Sequence, residues 1–262
     1  MTRDQVRAQL LYFQDLGVTE VYRRAARAPE ASASAAAPQP AAAAPSIVTP
    51  ASPAMKSEPK PPPPLPPLAP AGDTLLQIRQ DIGDDCRRCR LCEARNKIVF
   101  GSGNEKSPLV FVGEGPGADE DAQGLPFIGR AGQLLTKMID GTAAKEGIAI
   151  TREDVYICNV VKCRPPENRA PQPDEMEICG QFLFRQLMTI KPKAICALGS
   201  TAAKALLGTK EGVTKLRGNW QTWNGIPLLV TFHPSYLLRP YNQDAKREAW
   251  EDLKKLLHFV YD

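Results

Sequence analysis

The chain is short of several things, and each shortage excludes something. No apolar run approaches the 18 or so residues needed to cross a bilayer. Met1 to Leu10 mix Arg3, Asp4 and Arg7 and contain no signal-peptide core. A cytoplasmic protein with no membrane attachment is therefore expected. Charge of one sign is also scarce: 33 basic against 29 acidic residues leave a net +4, far from a histone-like polycation, which neither demands nor forbids nucleic acid. Histidine occurs only twice, at positions 233 and 258. With 43% hydrophobic and 24% charged residues, collagen, coiled coil and wholly disordered chains are excluded.

Proline is abundant but unevenly spread. Fourteen of the 25 prolines fall between Ala28 and Gly72, beside 14 alanines, so that stretch cannot contribute to a packed core. It divides the chain of 262 residues into a short head (1–27), whose Val6, Leu10, Phe13, Leu16 and Val21 have roughly helical spacing, an Ala/Pro-rich disordered linker (28–72) and a folded part (73–262). The head reads either as a plain extension or as a docking helix for a partner. The folded part is long enough for a sizeable core, and a monomer is expected.

From Asp73 the pattern alternates. A helix over Thr74 to Asp84 precedes apolar runs of strand length at Leu109 to Val112, Val155 to Ile157, Ala194 to Leu198 and Pro227 to Phe232. Helical patterns lie between and after them, at Gly129 to Glu146, Asp174 to Ile190, Ser200 to Leu207 and Gln243 to Val260. Strand and helix in strict turn imply an α/β fold: three layers, α/β/α, around a central four-stranded, mainly parallel sheet. The unusual residues follow the strands: Gly113-Glu114-Gly115-Pro116-Gly117, Asn159, Gly199-Ser200 and His233-Pro234-Ser235. Ligands of open α/β sheets bind at those ends.

Seven cysteines in a reducing compartment argue against disulfides and towards metal ligation or simple burial. Cys86 and Cys89, with Cys163 and Cys179, form a four-thiolate set suited to zinc or to a 4Fe-4S cluster, although the second pair lacks the close spacing of a zinc ribbon. Cys158 and Cys196 sit in or beside apolar strands and read as core; Cys92 is ambiguous. The glycine-rich stretch matches neither GxGxxG nor the P-loop, having no GK[ST], so by itself it is weak support for nucleotide binding.

Three segments together carry a resemblance. Gly113 to Gly117 followed by Gly124-Leu125-Pro126-Phe127-Ile128-Gly129-Arg130-Ala131-Gly132-Gln133-Leu134-Leu135, then Asn159-Val160-Val161-Lys162-Cys163-Arg164-Pro165-Pro166, then His233-Pro234-Ser235-Tyr236-Leu237-Leu238-Arg239, resemble the motifs of the family 4, iron-sulfur uracil-DNA glycosylases. The match runs from about Cys86 to Leu257, in order. It implies that Cys86, Cys89, Cys163 and Cys179 hold a structural 4Fe-4S cluster, with Arg87, Arg88, Arg90, Lys162 and Arg164 offsetting its charge. It further implies hydrolysis of the uracil–deoxyribose bond in single- and double-stranded DNA, leaving an abasic site for base excision repair.

By that resemblance Phe127 stacks on uracil, Asn159 reads its edge, Gly115 lines the base pocket, and His233 donates to the developing uracil anion. Ser235 and Arg239 grip flanking phosphates while Leu237 or Leu238 wedges into the gap left by the flipped nucleotide. The related family 1 carries an aspartate at the place of Gly115 and a tyrosine at that of Gly117, so Glu114 becomes the candidate for positioning water. Uracil-containing DNA is the expected partner, with a replication or repair protein for the head. The rival reading is a non-catalytic DNA-binding protein with a structural cluster.

Overall fold

The computed structural model describes Pro70 and residues 72–239 and 241–262; the expected head and almost all of the linker lie outside the described residues. The apolar runs become strands because they can be buried on both faces. Strands β2 (Leu109–Gly113), β3 (Tyr156–Asn159) and β4 (Ala194–Leu198) have every residue buried. With β6 (Ile226–Thr231) they form the parallel centre of the sheet.

The sheet is six strands wide, two more than expected, in the order β1-β3-β2-β4-β6-β5. The additions are short antiparallel edges, β1 (Ser102–Gly103) on β3 and β5 (Trp220–Trp223) on β6. Strands β5 and β6 are joined through Asn224 and Gly225, at φ 46° and 82°. Asn-Gly is the pair that tolerates two successive left-handed residues in a hairpin turn.

Because side chains alternate along a strand, the central strands supply both faces. Val110, Val112, Ile195 and Val230 pack with helices α1 (Leu75–Ile82) and α4 (Pro173–Ile190) through Ile78, Leu183 and Leu187. Leu109, Phe111, Cys196 and Leu229 pack with α3 (Arg130–Glu146) and α8 (Gln243–Tyr261) through Leu135, Ile139, Leu253 and Leu256. The remaining helices are α2 (Ala118–Gln123), α5 (Gly199–Leu207), α6 (Val213–Leu216) and α7 (Pro234–Leu237). This is the expected three-layer α/β/α arrangement. Helix α1 starts at Thr74 in a reciprocal cap with Gln77. It is tied to α4 by the near-buried Asp73–Arg185 ion pair, at 2.7 Å, whose guanidinium holds the Asp73 carboxyl below the usual carboxylate range.

Candidate active site at the strand ends

A cavity of about 200 Å³, open to solvent, is lined by Glu114, Gly115, Phe127, Asn159, His233 and Ser235 among others. These residues follow β2, β3 and β6, which run parallel with β4 between β2 and β6, so their carboxyl ends lie along one edge of the sheet. The pairing continues past the strands: Val160 donates to the Gly113 carbonyl at 2.9 Å and Val161 to that of Glu114 at 3.2 Å.

Phe127 is buried with φ at 53°, a left-handed conformation that is costly for a bulky residue. Its surroundings hold it there. A side chain on Gly132 would collide with the Phe127 backbone. Glu120 accepts from the amides of Gly117, Ile128 and Gly129, each at 3.0 Å, clamping the two loops together. Arg152 donates to the Pro126 carbonyl at 2.8 Å. Asn159 is 1% exposed and its Oδ1 has no hydrogen-bond partner. An unpaired buried amide oxygen is costly, and at a cavity wall it suits a ligand donor. Gly113 makes room for it, since a Cβ there would strike both Asn159 Oδ1 and the Phe127 ring.

His233 caps α7, and its Nδ1 accepts from the Ser235 amide at 3.2 Å and lies 2.7 Å from Ser235 Oγ. Assigned from this network, the neutral ring carries its proton on Nε2. The ring lies 5.6 Å from that of Phe127, tilted by 39°. Part of its edge opens onto the cavity, but burial pushes its conjugate acid down to about 4, against a weaker upward pull from Glu120. The imidazole is therefore a neutral donor at pH 7.

His258 behaves oppositely: hydrogen bonds to Glu146 and Asp262 raise it above the usual value. A two-histidine NMR titration should give one ring protonating near 4 and the other above its ordinary 6.5. The unfolded chain takes up the His233 proton at about 6.5 and the folded chain only near 4. Stability from the neutral ring is thus complete above 6.5 and declines as pH falls between those values. A His233 midpoint at or above 6.5 would refute the neutral-donor assignment.

Glu114 lines the cavity and accepts from Thr201 Oγ1, which orients its carboxylate. Any side chain at Gly115 would begin 2.8 Å from Val161 Cγ2, so this loop has no space for the aspartate of the related family. Ser235 stays exposed beside His233, and Arg239 is exposed with its guanidinium 5.8 Å from the Tyr236 ring centre.

One expectation fails. Leu237 is 1% exposed and packs with Phe232, Ala245 and Ala249 on the inner side of α7, so it cannot enter DNA. Leu238, 40% exposed, is the leucine left for wedging.

Residues not anticipated also line the cavity: Glu120, Asn168 and Arg169. Glu120 had a signal, an acid at the third position after Gly117 where a helix begins. Arg169 had none; it is held by both oxygens of the buried Glu175 across the loop before α4, at 2.8 and 2.7 Å.

A second cavity, on the side of the sheet facing α1 and α4, is lined by Cys86, Cys89, Cys163 and Cys179, together with Arg88 and Arg95. All seven cysteines are free thiols. Cys158 and Cys196 are buried in strands, and Cys92 does not line this cavity. Three sulfurs accept hydrogen bonds: Cys86 from Arg88 at 3.4 Å, Cys163 from Arg95 at 3.6 Å and Cys179 from the Lys162 amide at 3.2 Å. Such donors favour thiolate. Among the described residues no three Cys, His, Asp or Glu side chains form a group suited to one metal ion. The four sulfurs nevertheless line one cavity, and four thiolates are the donor set a 4Fe-4S cluster takes.

The compensating cations differ in part from those expected. Arg88 reaches a sulfur and the Lys162 charge acts on Cys179, while Arg95, not expected, reaches Cys163. Arg87 pairs with Asp85, Arg90 with Asp174 and Arg164 with Asn168.

An open α/β sheet that gathers an aromatic ring, an amide and a neutral imidazole at its strand ends defines a receptor for a flat polar ring. The family model of the uracil-DNA glycosylase superfamily matches residues 100–254. The type-4 uracil-DNA glycosylase of Thermotoga maritima is 46% identical over 190 residues, 72% of this chain and 96% of that protein. Those of Saccharolobus solfataricus and Archaeoglobus fulgidus are each 41% identical over 179 residues, 65% of this chain and 80% and 86% of theirs. The chain belongs to the uracil-DNA glycosylase superfamily, in its type-4 family, and is a DNA-glycosylase hydrolase.

Proposed function

We propose that this protein hydrolyses the bond between uracil and deoxyribose in single- and double-stranded DNA, leaving an abasic site for base excision repair. The observation that carries the reading is the His233 ring, with Nδ1 occupied by Ser235 and Nε2 left to donate, beside Phe127 and the unpartnered Asn159 Oδ1. A base inside a duplex must be flipped out before such a cavity can take it, at a cost of a few kcal/mol that is smaller for single strands. Phe127 then offers its face to the ring. Asn159 offers an acceptor and a donor, which match uracil N3–H and O4 and mismatch cytosine. As the bond breaks, negative charge grows on uracil, and the Nε2–H of a neutral imidazole stabilises it without surrendering a proton. Glu114, oriented by Thr201, orients the attacking water. Ser235 and Arg239 hold phosphates, and Leu238 fills the vacated stack.

Cys86, Cys89, Cys163 and Cys179 would hold a 4Fe-4S cluster, which when bound supplies a structural crosslink between the segment before the sheet and the loop after β3. We further propose that the protein acts as a monomer in the cytoplasm and that residues 1–27 dock a replication or repair protein. Among the described residues no helix is long and apolar enough to cross a membrane.

The test is a strand-break assay on a labelled single strand with one deoxyuridine, followed by hot alkali. Cleavage at that position, with none in a thymine control, is expected. An intact strand from protein that binds uracil DNA would make the non-catalytic reading the better one.

A further inference from the structure

Lys162 is 1% exposed, yet both partners of its ammonium are neutral: the Asn159 carbonyl at 2.8 Å and Gln186 Oε1 at 2.6 Å. Gln186 is fully buried, and its Nε2 donates to the Phe100 carbonyl at 3.0 Å and to Tyr156 Oη at 3.2 Å. The chain of contacts is therefore fixed at its far end to helix α4 and strand β3. The Lys162 backbone is fixed as well. Its amide donates to Cys179 Sγ at 3.2 Å, and its carbonyl accepts from Val99 at 2.8 Å.

A buried ammonium whose hydrogen-bond partners are both neutral is expensive, even with the Cys179 sulfur near enough to interact with its charge, and an apolar side chain of similar size would avoid that cost. What the ammonium adds is a grip, three residues back, on the backbone of Asn159. That residue needs one. Its side-chain oxygen makes no hydrogen bond of its own, and it is the last residue of β3, beyond which the pairing with β2 is carried by the Val160 and Val161 amides. The place of its amide, against the Gly113 backbone and beside the Phe127 ring, depends on where its own backbone is held.

We infer that Lys162 is a positioning residue: by holding the Asn159 carbonyl it aims the amide that reads the base, and through its own N–H on Cys179 it ties that aim to the cysteine cavity. The inference rests on the functional reading above. Its role is base recognition, so it separates two affinities that a general loss of structure would lower together.

The experiment uses full-length protein purified anaerobically, with iron content matched between variants, and measures three quantities. These are inhibition by free uracil, affinity for duplex DNA with an abasic site, and kcat/KM on deoxyuridine DNA. For Lys162→Met, free uracil should inhibit about tenfold less well and kcat/KM should fall at least as far, the scale of one misplaced hydrogen bond to a buried group. Affinity for abasic DNA, which has no base to read, should stay within about twofold. Gln186→Leu keeps the ammonium but removes its anchor, and should move the same quantities in the same direction. It carries the comparison if Lys162→Met does not fold.

Parallel loss of uracil and abasic-DNA affinity would reduce Lys162 to a structural role and overturn the inference. Unchanged inhibition by uracil in both variants would overturn it too. Wild-type protein that excises no uracil would defeat the functional reading first, and is recognised before any variant is made.

Discussion

His233→Ala should lower kcat for uracil excision by about 100- to 1,000-fold, the range for deleting one preorganised donor to a developing anion. Single-turnover kinetics on a deoxyuridine oligonucleotide measure it, with iron content and melting temperature as controls. The ring is buried and neutral, so the loss should be of the same size at pH 6 and pH 8. A loss confined to low pH would mean that a charged imidazole does the work. Ser235→Ala offers a graded comparison: the backbone N–H at 3.2 Å remains and still keeps Nδ1 as acceptor. Losing the hydroxyl, with its contact to Nδ1 and its proposed hold on a phosphate, should cost about fivefold in kcat at saturating DNA, one ordinary hydrogen bond. A loss under tenfold in His233→Ala would sink the assignment.

Cys163→Ala should be the most destabilising single change in the fold. The residue follows Lys162 directly, is buried, and its sulfur accepts from Arg95 at 3.6 Å. With the cluster ligand gone, iron content should collapse. Stability should fall by more than about 4 kcal/mol, a size reached by losing a metal site, which for a domain of this length means a melting temperature lower by about 10 °C or more. Cys92→Ala is the matched control, expected to keep its iron because Cys92 lies off the cavity. Iron loss in Cys92→Ala with retention in Cys163→Ala would overturn the ligand set.

Much of this could be read from the chain before its fold was known, and what escaped has physical reasons. Strands buried on both sides announce themselves as unbroken apolar runs, so the four parallel strands and the residues at their ends were legible. The edges were not. Ser102–Gly103 is too short and polar to carry a pattern, and Trp220–Trp223 has Gln and Thr between its tryptophans. The Asn224-Gly225 pair is a hairpin signal, but one that takes its meaning only when Trp220–Trp223 is a strand. In the site, motif residues such as Asn159 and His233 were legible. Glu120, Arg169 and Arg95 act through hydrogen bonds across 8 to 68 residues of chain, or within a loop whose shape no periodicity reports. Leu237 and Leu238 could not be separated by residue type. Only the orientation of a four-residue helix turns one inward and the other out.

The left-handed backbone at Phe127 has a kinetic consequence. A ring that the fold already forces into its stacking orientation has no rearrangement to make when a base arrives. The free protein and the complex should therefore share one loop conformation, with no gating step to retard turnover. Base extrusion from the helix and departure of the abasic product remain as the slow events. Temperature and duplex stability, which govern extrusion, should then set the pace more strongly than any motion of the protein.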